Sequence, residues 1–474
     1  MSRRRAAILG VSLLLILPVL LQKHVQAGDL ASHLYNTWLV LLVKSGEPLG
    51  LEIVPQYSNV LFDWWLEGLW RLGGPVFAEK TAVSVSVLLF FWGSFFLLTR
   101  LTGRPAWPSA PLLAMLAFGW IYHQGFFNYY LSCAFGFWAI GLAVSPGWRR
   151  WLAAPLLLLA GIAHLMGAAV AAGLAAYLAV RGSLPAPRRK WLLLGAAAAV
   201  AAVGAGVAAA VPAAWKLHRF MHLSAVTPFH VFHGAYVVPA LLLLLFWITA
   251  ALWTAVRYRK AMLLGPAAGA AALCAAALLI LPTSLDWTGT RQSLFFVDWR
   301  LAPWFTLFLH TLLSARLPAR FTLAALLSAA AAFFTPLSVT WYELGRMELA
   351  FHSAARKVPP RARTIASVTT SLSGMNPLLH MIDRACIGHC FSYGNYEPST
   401  AQFRLRSRPG SPVVMDSPRS VFALQESRYF VRREDLPLYG LILKQTRPFS
   451  LEVRAFHAGE KVNREKVPLP PEWF

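Results

Sequence analysis

Long apolar runs recur along the first two thirds of this 474-residue chain and constrain its fold more than any other feature. Runs of this length are typical of helices that cross a bilayer, whose hydrocarbon core is about 30 Å thick. Hydrophobic residues make up 57% of the chain, charged residues only 13%, and the mean hydropathy is +0.53. A soluble domain carries roughly twice that charge. The sequence therefore predicts an all-α polytopic membrane bundle.

The apolar runs predict eleven transmembrane helices. They lie at about 6–22, 77–99, 109–123, 128–145, 152–164, 165–180, 191–211, 236–256, 261–281, 301–315 and 321–341. Residues 152–180 also fit a single tilted helix. A hairpin turning near His164 is favoured, because the basic clusters on both sides of this segment require an even number of crossings between them.

The charges divide between the two sides of this topology. One side holds sixteen basic residues and no acid, at positions 3–5, 100, 104, 149–150, 181, 188–190, 257, 259–260, 316 and 320. The other side, up to residue 341, holds eight basic and eight acidic residues. Short basic loops stay in the cytoplasm, so the N-terminus is predicted to be cytoplasmic. The formal net charge of +23 thus reflects membrane topology, and no nucleic-acid partner is expected.

The N-terminus also fits a secretory signal. Three arginines, an apolar core and a small-residue site at Val25-Gln26-Ala27 have the required order. An uncleaved first helix is favoured, because many spans follow it. In both interpretations Asp29 lies outside the cytoplasm.

The first outer loop, 23–76, predicts two amphipathic surface helices. From Asp29 to Lys44 the apolar residues follow helical spacing, and Asp29, His33, Asn36 and Thr37 share the opposite face. A second helix is predicted at about 59–72, and Gly46, Pro48 and Gly50 interrupt the chain between the two.

This organisation resembles the GT-C superfamily of integral-membrane glycosyltransferases, which includes protein mannosyltransferases and aminoarabinose transferases. The resemblance covers residues 1–341 as architecture. As sequence it rests on Asp29-Leu-Ala-Ser-His33-Leu-Tyr35-Asn36, with Gly46 and Pro48 after it. It implies transfer of a sugar from a polyprenyl-phosphate carrier to an extracytoplasmic acceptor, with Asp29 as general base. Many members carry a second carboxylate beside the first, and here none follows Asp29 before Glu47. The resemblance also allows Asp29 to be a ligand of a divalent metal, but the missing second acid does not support this alternative, and no other cofactor is expected.

Glycosyl transfer needs a base near the attacking hydroxyl and positive charge near the departing phosphate. Asp29 and His33, one helical turn apart, are the candidate catalytic residues. The candidate substrate-binding residues are Asn36 on the same helix face, His164 at an outer tip, and Arg291 and Arg300 at the membrane boundary. As alternatives, Asp29 caps its helix, and the two arginines snorkel to headgroups or pair with nearby acids.

Other polar clusters have weaker signals. His218, His222, His230 and His233 lie at metal-like spacings in the outer loop 212–235, but this loop contains no Asp, Glu or Cys. They are interpreted as lining an interface or cavity. Cys386 and Cys390 fit either one tight disulfide or two thiols, and His380, Asp383 and His389 nearby raise a weak metal alternative.

Residues 342–474 have a different composition and contain no further span. Short strands are predicted at 365–370, 412–415, 428–431 and 451–456, which indicates a small extracytoplasmic α/β or α+β domain. The expected location is a bacterial inner membrane, with membrane lipid, a polyprenyl-phosphate-linked sugar and an unknown acceptor as partners. The alternative function is a non-catalytic glycolipid carrier or flippase, or a cell-envelope assembly protein.

Overall fold

The structure is a computed structural model, is 67% helical and describes residues 3–232, 234–258, 265–287, 292–370, 375–415 and 417–467. Its helices in chain order are α1 (Arg3–Leu21), α2 (Leu30–Lys44), α3 (Leu61–Thr102), α4 (Ala110–Ala117), α5 (Trp120–Gln124), α6 (Phe127–Ala143), α7 (Ala153–Ala163), α8 (Leu165–Ser183), α9 (Ala186–Ala210), α10 (Val237–Tyr258), α11 (Pro266–Ile280), α12 (Val297–Ser314), α13 (Ala319–Ala355), α14 (Met381–Cys386), α15 (Tyr396–Thr400) and α16 (Pro418–Gln425).

The strands are short and form four small sheets within the described ranges. They are β1 (Leu51–Ile53), β2 (Ala213–Ala214), β3 (Ser284–Trp287), β4 (Gln292–Leu294), β5 (Arg363–Ala366), β6 (Val368–Thr369), β7 (Phe391–Ser392), β8 (Leu405–Ser407), β9 (Leu438–Thr446), β10 (Phe449–Ala455) and β11 (Glu465–Lys466). The largest sheet has the order β10-β9-β5-β7, in which β5 runs parallel to both β9 and β7. The others pair β1 with β8, β11 with β6, and β3 with β2 and β4.

Six helices in the described part of the chain are long and apolar enough to cross a membrane. They are Arg4–Leu21, Leu61–Thr102, Leu165–Ser183, Ala186–Ala210, Gly234–Tyr258 and Ala319–Ala355. Each coincides with a predicted span. The other five predicted spans fall on helices that are shorter or less apolar, and the one at 109–123 is divided between α4 and α5. The chain is thus a helical membrane protein, while the full number of spans stays a prediction.

The chain forms two compact units. The first contains Met1–Leu15, Val85–Tyr122 and Phe127–Pro336, and within it α6 packs against α7 and α8 while α11 packs against α9 and α12. The second contains Ile16–Ser84, His123–Phe126 and Leu337–Phe474, so it includes both the first outer loop and the C-terminal region. The predicted domain boundary at 341 lies inside α13.

The first outer loop follows the local signals of its sequence. Helix α2 ends at Lys44, and Gly46 and Gly50 both adopt positive φ, at 89° and 61°, in the connection to β1. The second predicted surface helix is the first part of α3, which continues past a kink at Gly74 (φ 78°). Helix α2 is buried on its polar as well as its apolar face, because the C-terminal region packs against it, with α14 in contact with α2.

Two predicted strands of the C-terminal region are wrong. Residues 412–415 form bends, and 428–431 contribute only an isolated bridge from Phe430 to Lys461. Both segments pack apolar side chains into the core around the largest sheet, where Met415 and Val431 are nearly inaccessible. The apolar residues of these two segments are therefore buried in the core, although the segments themselves do not pair as strands. The strands predicted at 365–370 and 451–456 are confirmed by β5, β6 and β10.

A buried ionic network holds the second unit together around Arg384, whose side chain is 6% exposed. Its guanidinium donates to Glu348 at 2.8 Å and to the carbonyl of Val25 at 3.1 Å, and it lies 3.5 Å from Glu79. Glu79 in turn accepts from the backbone N–H of Val25 at 2.7 Å. Glu79 and Glu348 have side chains only 4% and 1% exposed. One guanidinium thus lies between two carboxyl groups away from water.

We expect Arg384→Ala to destabilise the protein by about 3–5 kcal/mol, because it leaves two carboxylates buried without their cation. Thermal unfolding of the purified protein in detergent measures this. The matched control is Arg408→Ala, since Arg408 pairs with Glu52 at 3.2 Å on the exposed surface and such pairs contribute about 1 kcal/mol or less. Equal losses in the two variants would contradict the role given to Arg384.

Candidate active site at the start of helix α2

The backbone before α2 is fixed by close contact with the segment 123–126. The N–H of Asp29 donates to the carbonyl of Gln124 at 3.0 Å. Gly28 has φ +26°, and a Cβ there would lie 2.4 Å from that carbonyl oxygen. Gly125 has φ +77°, and a Cβ there would lie 2.3 Å from the Asp29 nitrogen. Only glycine fits at these two positions, so Asp29 is held firmly at the head of the helix.

Asp29 occupies the N-cap position of α2 but does not cap it with its side chain. Its carboxylate instead lies with Oδ1 3.4 Å from Nε2 of His380. The side chain of Asp29 is 26% exposed, whereas that of His380 is 6% exposed. The capping interpretation is therefore not realised, and one side of the carboxylate is open to solvent.

His380 lies between two carboxylates. Its Nδ1 is 2.7 Å from Oδ2 of Asp383, and Oδ1 of Asp383 accepts from the hydroxyl of Ser392 at 2.5 Å. Burial alone lowers the pKa of His380, but its close contact with Asp29, its hydrogen bond to Asp383 and the charges of both carboxylates outweigh burial and raise it to about 10. His380 is therefore an imidazolium at neutral pH. The Nε2–Asp29 contact is long, and contacts of this kind often tighten only when substrate binds.

His33 has a different partner from the one its position in sequence suggests. Its Nδ1 is 2.8 Å from Oδ1 of Asp63, at the start of α3, and the ring is buried. Burial lowers the pKa of His33, but the charge of Asp63 and its hydrogen bond outweigh this and raise it to about 9. His380 thus takes the place beside Asp29 that the sequence assigned to His33.

Asn36 and its neighbour Ser32 connect α2 to the C-terminal region. Asn36 accepts from Nδ2 of Asn395 at 2.7 Å and donates to the carbonyl of Ser32 at 3.0 Å. The hydroxyl of Ser32 donates to Glu397 at 2.8 Å. Burial raises the pKa of Glu397 to about 7, opposed by His33 and assisted by the carboxylate charges of Asp63 and Asp29. The amide of Asn36, predicted to bind substrate, is engaged within the protein.

Asp29 is therefore not an isolated acid. Asp63, Asp383 and Glu397 all act electrostatically, together with Asp29, on the buried ring of Tyr396, whose pKa is raised first by burial and then by these charges. The Tyr396 ring lies 5.5 Å from that of His380. These companion acids come from distant segments of the chain, so they could not be seen in the sequence around Asp29.

The other predicted substrate-binding residues lie elsewhere in the chain. His164 is extended between α7 and α8 and caps α8, accepting from the N–H of Met166 at 3.2 Å. Arg300 donates to the carbonyl of Phe295, and its guanidinium lies 5.7 Å from the centre of the Tyr129 ring. Both belong to the first unit. Arg291, like His233, lies outside the described residues, so the substrate-binding roles of these residues stay predictions.

The cysteine pair at the end of α14 forms a disulfide between Cys386 and Cys390. His389 between them turns away, with Nε2 2.8 Å from the carbonyl oxygen of Val358. The bridge closes the chain directly after the helix that carries Asp383. Of the two alternatives left open by the sequence, the structure contains the disulfide.

Comparison with protein-family models, with curated proteins and with solved structures finds no match to this chain. Its function is therefore inferred from the geometry of the site. The residues missed by sequence reasoning are His380 and Asp383 as partners of Asp29, and Glu397. The sequence contains only a slight indication of this group. His380 and Asp383 are three residues apart, a spacing that places both on one helical turn.

The buried titrating groups predict that stability falls as pH rises above neutrality. His380 and His33 have folded pKa values of about 10 and 9, against 6.5 for an ordinary histidine. The folded state therefore binds more protons than the unfolded state in this range, so the stabilisation is complete below pH 6.5 and lost as pH rises through 9 to 10. Glu397 acts in the same direction at lower pH, since its folded pKa of about 7 exceeds 4.5.

Unfolding temperatures measured in detergent at a series of pH values test this. We expect the unfolding temperature to fall between pH 7 and pH 10, and to fall less steeply in His380→Gln, which removes the largest upward shift of a histidine pKa. An identical slope in the variant would show that His380 is not held as an imidazolium.

Proposed function

We propose that this protein is a membrane glycosyltransferase that moves a sugar from a polyprenyl-phosphate donor to an acceptor hydroxyl outside the cytoplasm. The observation that carries the proposal is the carboxylate of Asp29. It is partly exposed, makes no cap with its own helix, and faces a buried imidazolium. These are the properties of a general base that is fixed in position and open to substrate on one side.

The proposed reaction uses Asp29 at the attacking hydroxyl. As the acceptor oxygen bonds to the anomeric carbon, its proton passes to Asp29, and the bond from that carbon to the phosphate oxygen breaks to release polyprenyl phosphate. His380 does not contact the substrate in this scheme. It is a positioning residue, because Asp383 orients its ring and its charge keeps the Asp29 carboxylate aimed at one place.

The remaining elements of the proposal follow from the sequence. Residues 1–341 are proposed to form the membrane bundle, with eleven spans of GT-C type and a cytoplasmic N-terminus, in a bacterial inner membrane. Residues 342–474, which contain the mixed β10-β9-β5-β7 sheet, are proposed as an extracytoplasmic α/β or α+β domain. Arg291 and Arg300 are proposed to hold the donor phosphate, since guanidinium groups bind phosphate in a bidentate manner. No metal is required by this scheme.

The test compares Asp29→Asn with wild type in proteoliposomes that contain polyprenyl phosphate carrying a radiolabelled hexose or pentose. Release of polyprenyl phosphate and labelled product measures transfer, with water or membrane glycolipid as acceptor. We expect Asp29→Asn to be slower by about 10²- to 10⁴-fold, the usual contribution of a general base. Donor binding is expected to persist, because the amide keeps the shape of the side chain.

The matched control is Glu52→Gln, which removes an acid of the same outer loop from an exposed ion pair with Arg408. It is expected to transfer sugar at the wild-type rate. Normal transfer by Asp29→Asn would rule out Asp29 as the base. Movement of labelled donor across the vesicle membrane by both proteins, with transfer by neither, would instead support the glycolipid carrier.

A further inference from the structure

Two histidines of the first unit converge on one buried carboxylate. His218 and His222 lie on the short 3₁₀ helix Leu217–Ser224, and Asp298 lies in the first turn of α12. The Nε2 atoms of His218 and His222 are 2.9 Å and 3.2 Å from the same oxygen, Oδ2 of Asp298. The carboxylate is distant from these histidines in sequence, since Asp298 follows them by about eighty residues.

The surroundings hold these side chains in place. His222 is completely buried, and its Nδ1 is 2.7 Å from the hydroxyl of Thr227, which fixes the ring so that Nε2 points at Asp298. The Trp299 ring packs edge-on against His222 with centroids 4.9 Å apart. The Asp298 side chain is 2% exposed, and its Oδ1 has no hydrogen-bond partner within the described residues. The His218 side chain is 40% exposed, so the group is reached from outside on that side.

Two imidazole nitrogens and a carboxylate oxygen are a common ligand set for Zn²⁺ and other divalent transition metals. In a tetrahedral site with ligand distances of about 2.0–2.1 Å, neighbouring ligand atoms are roughly 3.3 Å apart. The two distances to Asp298 are close to this value, and all three ligand atoms lie within 4.8 Å of one another. The hydrogen bond from His222 to Thr227 is the kind of outer contact that orients a metal-binding histidine.

We propose that His218, His222 and Asp298 bind one divalent transition-metal ion of the Zn²⁺ class. The ion ties the segment 217–224 to the start of α12, and a fourth coordination position faces outward beside His218. Because its ligands come from two segments, the ion stabilises the folded first unit. This metal site is independent of Asp29 and of the proposed transfer reaction.

A second group of possible ligands, His24, Glu348 and His352, does not compete strongly. Both carboxylate oxygens of Glu348 are already engaged, one by Arg384 at 2.8 Å and the other by Gln26 at 2.6 Å. The cation of Arg384 also opposes a second positive charge there. About one ion per chain is therefore expected.

Metal content after equilibrium dialysis of the purified full chain against Zn²⁺ tests the site, and Co²⁺ absorption spectra report tetrahedral nitrogen and oxygen coordination. We expect wild type to bind about one Zn²⁺ per chain. His218→Ala and Asp298→Asn are expected to bind it about 100-fold more weakly or worse, since losing an outer-shell partner alone costs 10- to 100-fold. Zn²⁺ should raise the unfolding temperature of wild type and not of these variants.

His230→Ala is the matched control, because it removes a histidine of the same loop that lies outside the group, and it should bind Zn²⁺ as wild type does. His218→Ala is the decisive variant, since the exposure of this side chain allows it to change without loss of the fold. Wild type without bound Zn²⁺, or His218→Ala with wild-type affinity, would overturn the proposal. The proposal would also be overturned if His352→Ala lost Zn²⁺ binding while His218→Ala and Asp298→Asn kept it.

Discussion

The cost of burying charge dominates the second unit, and the contacts of Arg384 show how that cost is met. An isolated ion in an apolar interior is unfavourable by several kcal/mol, so each buried charge requires its partners to be present together. Arg384 reaches Glu348, Glu79 and the carbonyl of Val25, which come from regions far apart in the chain. The first outer loop and the C-terminal region therefore depend on each other to fold. Val25, which contacts this network, lies only four residues before Asp29. The ionic network therefore also positions the candidate base.

The same electrostatic logic shapes the site. Asp63, whose side chain is 13% exposed, lies against His33, and Asp383 is buried against His380. Each pairing raises the pKa of the histidine enough to keep it charged. Asp29 differs from these acids because one side of it remains open to solvent. The two less exposed pairs are suited to holding structure. The carboxylate with an open side is suited to exchanging a proton.

The features that can be predicted from this sequence are those that depend on neighbouring residues. Apolar runs marked the long helices, and glycines and prolines marked the end of α2 and the turn after it, because these signals depend on neighbouring residues alone. Asp29 was identified from its position after the first run. Its partner His380 lies 351 residues further along the chain. No sequence periodicity spans such a distance, so the pairing is not visible in the sequence. The segment 412–415 was mistaken for a strand because burial in a core and pairing in a sheet select the same apolar residues.

The charge balance of the site bears on where each part of a sugar donor is able to bind. Four carboxylates, Asp29, Asp63, Asp383 and Glu397, face two imidazolium rings, and Glu397 is half protonated near pH 7. These carboxylates disfavour a phosphate beside them and favour the positive charge that develops on a sugar ring as its glycosidic bond breaks. A phosphate leaving group requires cations at a separate position. The proposed transfer reaction therefore requires the sugar of the donor to lie beside these acids and its phosphate to lie away from them.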